Sequence, residues 1–497
     1  MLTRLKVHGF KNLVKVDVRF GPFTCIAGAN GVGKSNLFDA IKFLSDLADR
    51  SLIDAAMSVR DESGKVSDVQ GIFRKFKATD STSAEYDDEM SFEVEIIVPK
   101  DGVDDLGQLA TATSTFLRYR LRLAHRKNQG LSSVGALEII EEELTHFTAG
   151  ESVKLLLFEP SKSWRDDVIL NKRRAGPYIS TEGGPDNRII KLHVDGKVGG
   201  SPVKRNAKTL PRTVLSSTNA VENPTALLVR NEMRSWRLLQ LEPSALRKPD
   251  EFTAPVKLGE DGSHIASTLY HLAQVDTSEN SNGRRISDSK VYGHVAARLS
   301  ELISDVFSVN VDRDEKRELL TLELTTLDRV SYPAKALSNG TLRFLALAVL
   351  ELDSEAQGVL CLEEPENGIH PARIPASLRL LEDIAIDVDY PTASDNPLRQ
   401  IIINTHSPVV VQQVEDQDLL CAELKGAGVT FGCLPETWRA KEETSHIVSR
   451  GLIGAYLNPT IAVLPDTREI AIHTRKRHVR VIDRMDLQPF LPFGAIQ

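Results

Sequence analysis

Eight residues, Gly28-Ala29-Asn30-Gly31-Val32-Gly33-Lys34-Ser35, constrain this chain more than any other stretch. They follow a short apolar run, Phe23 to Ala27, that reads as a strand. They precede Asn36 to Ala48, where Leu37, Ile41, Leu44 and Ala48 form one stripe of an amphipathic helix. In a strand, glycine loop and helix in this order, the glycines let backbone N–H groups turn inward around phosphate oxygens, and the helix adds its positive N-terminal end. Lys34 then neutralises the β- and γ-phosphates of a nucleoside triphosphate, and the Ser35 hydroxyl ligates Mg2+.

Three later segments carry side chains suited to the same chemistry. Gly358-Val359-Leu360-Cys361-Leu362-Glu363-Glu364-Pro365-Glu366 is an apolar strand with two adjacent carboxylates at its end. Neighbours on a strand face opposite ways, so Glu363 is the candidate for Mg2+ coordination and Glu364 for activating the attacking water. Read alone, the block is equally a strand ending in a solvated acidic loop. Leu337-Ser338-Asn339-Gly340-Thr341 precedes Leu342, Leu345, Val349 and Leu352 at helical spacing. By itself this is an ordinary N-cap, but such an N-terminus also has unpaired N–H groups able to bind an anionic γ-phosphate. Gln400-Ile401-Ile402-Ile403-Asn404-Thr405-His406-Ser407-Pro408 is another buried strand. Its His406 would hydrogen-bond the γ-phosphate or hold the water, and a histidine after a strand is otherwise a structural residue.

Composition narrows the rest. A chain of 497 residues is too long for one core and predicts two or three units. Hydrophobic residues at 41% and charged residues at 26% are near the globular average. The net charge of −8 gives nucleic acid no global attraction, so any such contact must be local. Arg118, Arg120 and Arg122, alternating along one strand, and the run Arg475, Lys476, Arg477 and Arg480 are the two local candidates, although charged strand faces and tails are commonly just solvated. The four cysteines have no metal spacing, and with no signal peptide evident they point to a reducing cytoplasm. No apolar run approaches the roughly 18 residues that cross a bilayer, so no membrane role is expected.

The intervening sequence reads as follows. Leu5 to Phe10 and Val14 to Phe20 form strands, as do Phe92 to Val98, Phe116 to Leu123 and Leu137 to Glu143 in a stretch with the character of an insert. Ser201 to Asn223, rich in Ser, Thr, Pro and Asn, reads as a mobile loop. Helical periodicity covers His264 to Leu272 and the set Val295, Leu299, Leu302, Ile303 and Val306, before strands near Val309 to Val311 and Leu319 to Leu324.

The four motifs, in this order, resemble the ABC-type heads of SMC, RecF and OLD-like ATPases. So does the start Arg4-Leu5-Lys6-Val7-His8-Gly9-Phe10-Lys11-Asn12, where that family carries an early strand ending in a similar Phe-Lys-Asn. The resemblance implies an α/β ABC-type P-loop ATPase: a mixed or parallel sheet flanked by helices, an antiparallel β lobe, a helical signature lobe and an inserted α+β region. Its expected divisions are 1–76 for the P-loop lobe, 77–250 for the insert, and 251–336 for the helical lobe with its strands. Residues 337–415 would hold the signature, acidic strand and His strand, and 416–497 a C-terminal extension. ATP with Mg2+ is the implied ligand, held by the loop, Asn36, Lys11 and Asn12. Ser338, Asn339 and Gly340 are expected to meet the ATP of a second copy, making a homodimer or higher assembly. Gly368-Ile369-His370-Pro371 would link the two sites, with His370 equally a surface turn residue. The family's loop glutamine for Mg2+ is not evident by pattern, and Gln70 is the nearest candidate.

OLD-type relatives append a nuclease domain after the Thr-His-Ser-Pro block. The residues that follow here carry only isolated acids such as Asp466 and Asp483, so no nuclease activity is expected in this chain. The resemblance extends to the ATPase subunits of bacterial anti-phage systems, Septu-type and retron-associated, where the ATPase restrains or licenses a separate effector such as a nuclease. The alternatives are a repair clamp that closes on duplex DNA and an ATP-stabilised scaffold with negligible turnover.

Overall fold

The computed structural model describes residues 1–60, 69–77, 84–126, 136–171, 176–195, 200–278, 288–442, 445–449, 451 and 453. Phe23–Ala27 lies inside a six-stranded sheet ordered Arg237–Leu239, Gly358–Glu363, Arg399–Thr405, Phe23–Ala27, Leu419–Lys425 and Gly428–Cys433. The first five strands are parallel and the last antiparallel. Parallel sheets are covered on both faces and favour unbroken apolar runs, and Phe23–Ala27 and Arg399–Thr405 are buried along their whole length. In the register Glu363 lies beside Asn404, Asn404 beside Ile26, and Thr405 beside Ala27. The acidic pair, the His406 turn and the glycine loop therefore leave the sheet at one edge, the carboxyl edge where open parallel sheets bind ligands.

A second, antiparallel sheet has eight strands, in the order Val203–Asn206, Ile189–Leu192, Ile179–Glu182, Ala136–His146, Phe116–Arg126, Glu89–Ile97, Leu2–Phe10 and Leu13–Arg19. Strands of the expected insert thus pair directly with the N-terminal hairpin, and Arg237–Leu239 of the same region forms an edge of the six-stranded sheet. The division drawn at 76/77 falls within one sheet. In Phe116–Arg126 the alternating Leu117, Tyr119, Leu121 and Leu123 all face the core. The Gln400 side chain joins the two sheets, accepting from Leu2 N at 2.8 Å and donating to Leu2 O at 2.8 Å and Gly21 O at 2.7 Å. Between them the helix Lys34–Leu47 buries Leu37, Phe38 and Phe43, and the rings of Phe10, Phe43 and Phe92 meet with centroids 5.7 Å apart. Burying such a ring stabilises by about 1.5–3 kcal/mol.

Three expectations change. Arg118, Arg120 and Arg122 do share a face, but Arg118 pairs with Glu93 and Glu95, Arg120 with Glu93 and Glu143, and Arg122 with Glu89 and Glu141. Cross-strand acids balance the stripe, so it is not a free cationic face. Ser201 to Asn223 is not a loose loop: it holds the edge strand Val203–Asn206, and Glu142 accepts from Val214 N and Leu215 N, each at 2.8 Å. Val306 opens the strand Val306–Asp314, and the helix before it ends at Leu302. The basic run from Arg475 to Arg480, with Asp466 and Asp483, lies outside the described residues.

The remaining lobe packs the helices Ile265–Ser278, Asp288–Leu302, Asn339–Leu352 and Ile374–Ile384 with a small sheet of Asp250–Glu251, Leu319–Thr326, Val306–Asp314 and Ser331–Pro333. Among the described residues no helix is long and apolar enough to cross a membrane.

Candidate nucleotide site

Above the carboxyl edge of the six-stranded sheet lies a cavity of about 580 Å3, within the ~300–1,000 Å3 usual for ligand sites. Asn12, Asn30, Gly31, Gly33, Lys34, Ser35 and Asn36 form one wall. Gln240, Glu363, Glu364, Asn367 and Asn404 face them. Residues from opposite ends of the sequence thus share one space.

The loop is shaped by its glycines and by Asn12. Gly33 has φ 109°, in the left-handed region, and a Cβ there would lie 2.2 Å from Asn12 Nδ2. Asn12 Nδ2 donates to Val32 O at 3.1 Å, and Asn12 Oδ1 accepts from Asn36 Nδ2 at 2.9 Å. Lys34 Nζ donates to Gly28 O at 2.6 Å and Ala29 O at 2.9 Å. Burial lowers its pKa below the ordinary lysine value, opposed by the nearby carboxylates of Glu364, Glu366 and Glu363. Lys11 is placed differently from the expectation. Its ammonium meets Asp39 at 2.7 Å and Arg60 O at 2.6 Å, and it does not line the cavity.

Glu363 ends the strand and Glu364 begins the turn beyond it, so both line the cavity and strand alternation does not set the direction of Glu364. Arg60 grips Glu363 with both terminal nitrogens, at 2.8 and 3.0 Å, while its Nε donates to Asp39 at 2.8 Å. Gln240 Nε2 donates to Glu363 Oε2 at 3.2 Å. Burial works to raise the Glu363 pKa, but Arg60, with Ser35 and Gln240, holds it below the usual carboxylate range. Glu364 adopts φ 45°, and its N–H donates to Asn404 O and Oδ1, each at 3.1 Å. His406 Nδ1 lies 2.6 Å from Glu364 Oε1, and Asn367 Nδ2 donates to Oε2 at 2.7 Å. Both carboxylate oxygens are thereby aimed, and each keeps a lone pair for a further donor.

The residues fit a hard dication. Ser35 hydroxyl, Glu363 carboxylate and the Gln240 amide oxygen are the donors Mg2+ prefers. The Arg60 guanidinium, with Nη2 at 3.4 Å from Ser35 O, marks the same spot as one that stabilises positive charge. Gln70, the sequence-based candidate, sits on the 3-10 turn Val69–Ile72 and is not among the cavity's residues. Gln240 and Arg60 were not recognisable from sequence. Gln240 follows a strand of three residues, Arg237–Leu239, and Arg60 belongs to no motif. The one usable signal was the Gln-Leu-Glu-Pro stretch that breaks the apolar Leu238-Leu239 run before a new helix.

Ser338, Asn339 and Gly340 do not line this cavity. Ser338 caps Asn339–Leu352, accepting from Thr341 N at 3.2 Å, and Asn339 Oδ1 accepts from Arg247 at 2.6 Å. A Cβ on Gly340 would stand 2.5 Å from Gly368 O, so glycine is required there. His370 caps a short turn, accepting from Ala372 N at 3.3 Å.

A family model described as "AAA domain, putative AbiEii toxin, Type IV TA system" matches residues 23–125 and 203–412, well over half of the chain. Over 75 residues the chain is 35% identical to the DNA replication and repair protein RecF of two Porphyromonas gingivalis strains. That stretch is 15% of this chain and 20% of those relatives, so the chain spans about a fifth of the length of the curated proteins it matches. Among solved structures, an SmcHead bound to the C-winged helix domain of ScpA has 13% identity and a TM-score of 0.45, covering 87% of this chain and 98% of that one. An Smc head bound to the C-terminal domain of ScpA, derived from Pyrococcus furiosus, gives 12% and 0.43, covering 87% and 96%. The SMC head domain from Thermotoga maritima gives 12% and 0.36, covering 87% and 98%.

Proposed function

The chain belongs to the AAA-domain family matched above, and from that premise we propose that it binds ATP with Mg2+ in the cavity beneath the glycine loop, hydrolyses it, and pairs with a second copy of itself. One observation carries the reading: Lys34, Ser35, Glu363 and Glu364 line the same cavity. The loop N–H groups and Lys34 receive the β- and γ-phosphates. Ser35, Glu363 and Gln240 would hold Mg2+, which when bound would supply positive charge to the phosphate oxygens. A water attacks the γ-phosphorus, forming one O–P bond as the bond to the β–γ bridging oxygen breaks. ADP departs with that oxygen, and the water's proton passes to Glu364. His406 and Asn367 hold Glu364 in the orientation this transfer needs.

Ser338, Asn339 and Gly340, outside the cavity, are accounted for as contacts to ATP bound by a partner copy. Pairing would then restrain or release a separate effector chain, a nuclease or toxin, in defence against phage within the cytoplasm. The family's description speaks of a putative toxin and a Type IV TA system, which supports an association with toxin activity. A repair clamp is the second reading, supported by the RecF match. The charge-balanced Arg118, Arg120 and Arg122 stripe weakens it.

Phosphate release separates these readings from an inert scaffold. Glu364→Gln should lower turnover by at least about 100-fold while ATP binding persists. Undiminished hydrolysis would contradict the assignment of the base, and a wild-type chain that pairs on ATP without turnover would favour the scaffold. A DNA affinity that rises with ATP and falls with salt would restore the clamp.

A further inference from the structure

We propose that Glu366 is a positioning residue for hydrolysis, clamping the turn that carries Glu364 to the strand end that carries His406 and the start of the glycine loop. This rests on the ATPase reading above. Glu366 is 9% exposed and lies outside the cavity lining. Its Oε1 accepts from Thr405 Oγ1 at 2.5 Å. The same hydroxyl oxygen accepts from Ser407 N at 2.9 Å, and Thr405 O accepts from Gly28 N at 3.2 Å. His406 is strung between these two anchored residues, with Nδ1 2.6 Å from Glu364 Oε1. On the other side the acidic turn closes through Asn367 N to Glu364 O and Ile369 N to Glu366 O, each at 3.0 Å.

Thr405 therefore ties three parts of the site together, and Glu366 fixes Thr405. Glu366 Oε2 is buried and finds no partner among the described residues, and beyond the carboxylate's bond to its own backbone N–H, the bond to Thr405 is what ties the side chain to the neighbouring strand end. Releasing it frees the His406 turn to move relative to Glu364, and displacements of about 1 Å at a reacting centre cost on the order of 100-fold in rate. Burial raises the Glu366 pKa despite the Thr405 bond, and a glutamine in its place keeps an oxygen able to accept from Thr405 Oγ1.

Steady-state ATP hydrolysis by the full chain tests this with four variants. Glu366→Ala and Thr405→Val remove the bond, whereas Glu366→Gln and Thr405→Ser keep it. The first pair should lower kcat by about 10- to 100-fold with KM for ATP within about threefold. The second pair should stay within about threefold of wild type, and the double variant Glu366→Ala with Thr405→Val should be no worse than either single change. A Glu366→Gln chain as impaired as Glu366→Ala, a parallel rise in KM, or losses that multiply in the double variant would each overturn the proposal. Should Glu366→Ala fail to fold, the Thr405→Val and Thr405→Ser comparison decides it. Absence of hydrolysis in the wild-type chain defeats the ATPase reading itself. Hydrolysis unaffected in all four variants defeats only the role of Glu366.

Discussion

At Gly33, backbone angle and space both forbid a side chain. An L-residue at φ 109° is strained by about 1–3 kcal/mol. A Cβ would also displace Asn12, whose amide holds Val32 and Asn36. Gly33→Ala is therefore expected to weaken ATP binding by about tenfold or more, equal to ~1.4 kcal/mol, with little change in far-UV circular dichroism. Unchanged affinity would show that the loop geometry does not hold the ligand. The loop, Glu363 and Glu364 were legible because each sits at the end of an apolar strand, whereas the direction of Glu364 was not, since the strand stops at Glu363 and Glu364 turns to φ 45°. Gln240 was not legible, since its relation to Glu363 arises only when Arg237–Leu239 pairs with Gly358–Glu363, and Arg60 was not, since it reaches Glu363 from beyond the helix Leu52–Ser58. Lys11 illustrates the converse: proximity in a motif did not determine its partner, because Asp39 on the following helix offers a nearer charge.

At the scale of elements, Glu142 replaces what composition had read as a loose segment with a latch. Its buried carboxylate accepts from Val214 N and Leu215 N, and from Tyr119 OH at 3.2 Å. Removing it leaves two buried N–H groups unpaired, a cost of about 1–3 kcal/mol each. Burial pushes the Glu142 pKa up to about 7 from 4.5, outweighing the two backbone bonds and Tyr119. A folded-state pKa above the unfolded one means the native chain binds the extra proton. Its contribution is complete below pH 4.5 and is lost as pH rises through about 7. Denaturant titrations should show stability falling across that window in wild type, and Glu142→Ala should be less stable overall but lack that component of the fall. An identical pH slope in both would remove Glu142 from the account. Nothing in the sequence marked this latch, since a Ser, Thr, Pro and Asn composition describes a lack of regular structure and not a lack of anchoring. Long alternating strands such as Phe116–Arg126 were readable in place, yet their pairing with the N-terminal hairpin was not, because alternation specifies a face and leaves the neighbour open.

For the whole molecule, the two sheets are coupled through Gln400, the buried helix Lys34–Leu47 and the Thr405 junction. A ligand that orders the glycine loop thus bears on both. Placement of Ser338, Asn339 and Gly340 outside the cavity makes pairing the test of their role. In the Glu364→Gln chain, light scattering should show mass doubling on addition of ATP with Mg2+, and Ser338→Arg should prevent it while leaving nucleotide bound. Doubling unaffected by Ser338→Arg would place the interface elsewhere. Beneath that lies the proposal that segments distant in sequence build one triphosphate pocket. Calorimetric titration of the Glu364→Gln chain with ATP and Mg2+ addresses it most directly. One site per chain is expected, weakened about 100-fold by adding Lys34→Ala, as for a lost charged contact of ~3 kcal/mol. Binding that is absent, or indifferent to Lys34, would contradict it.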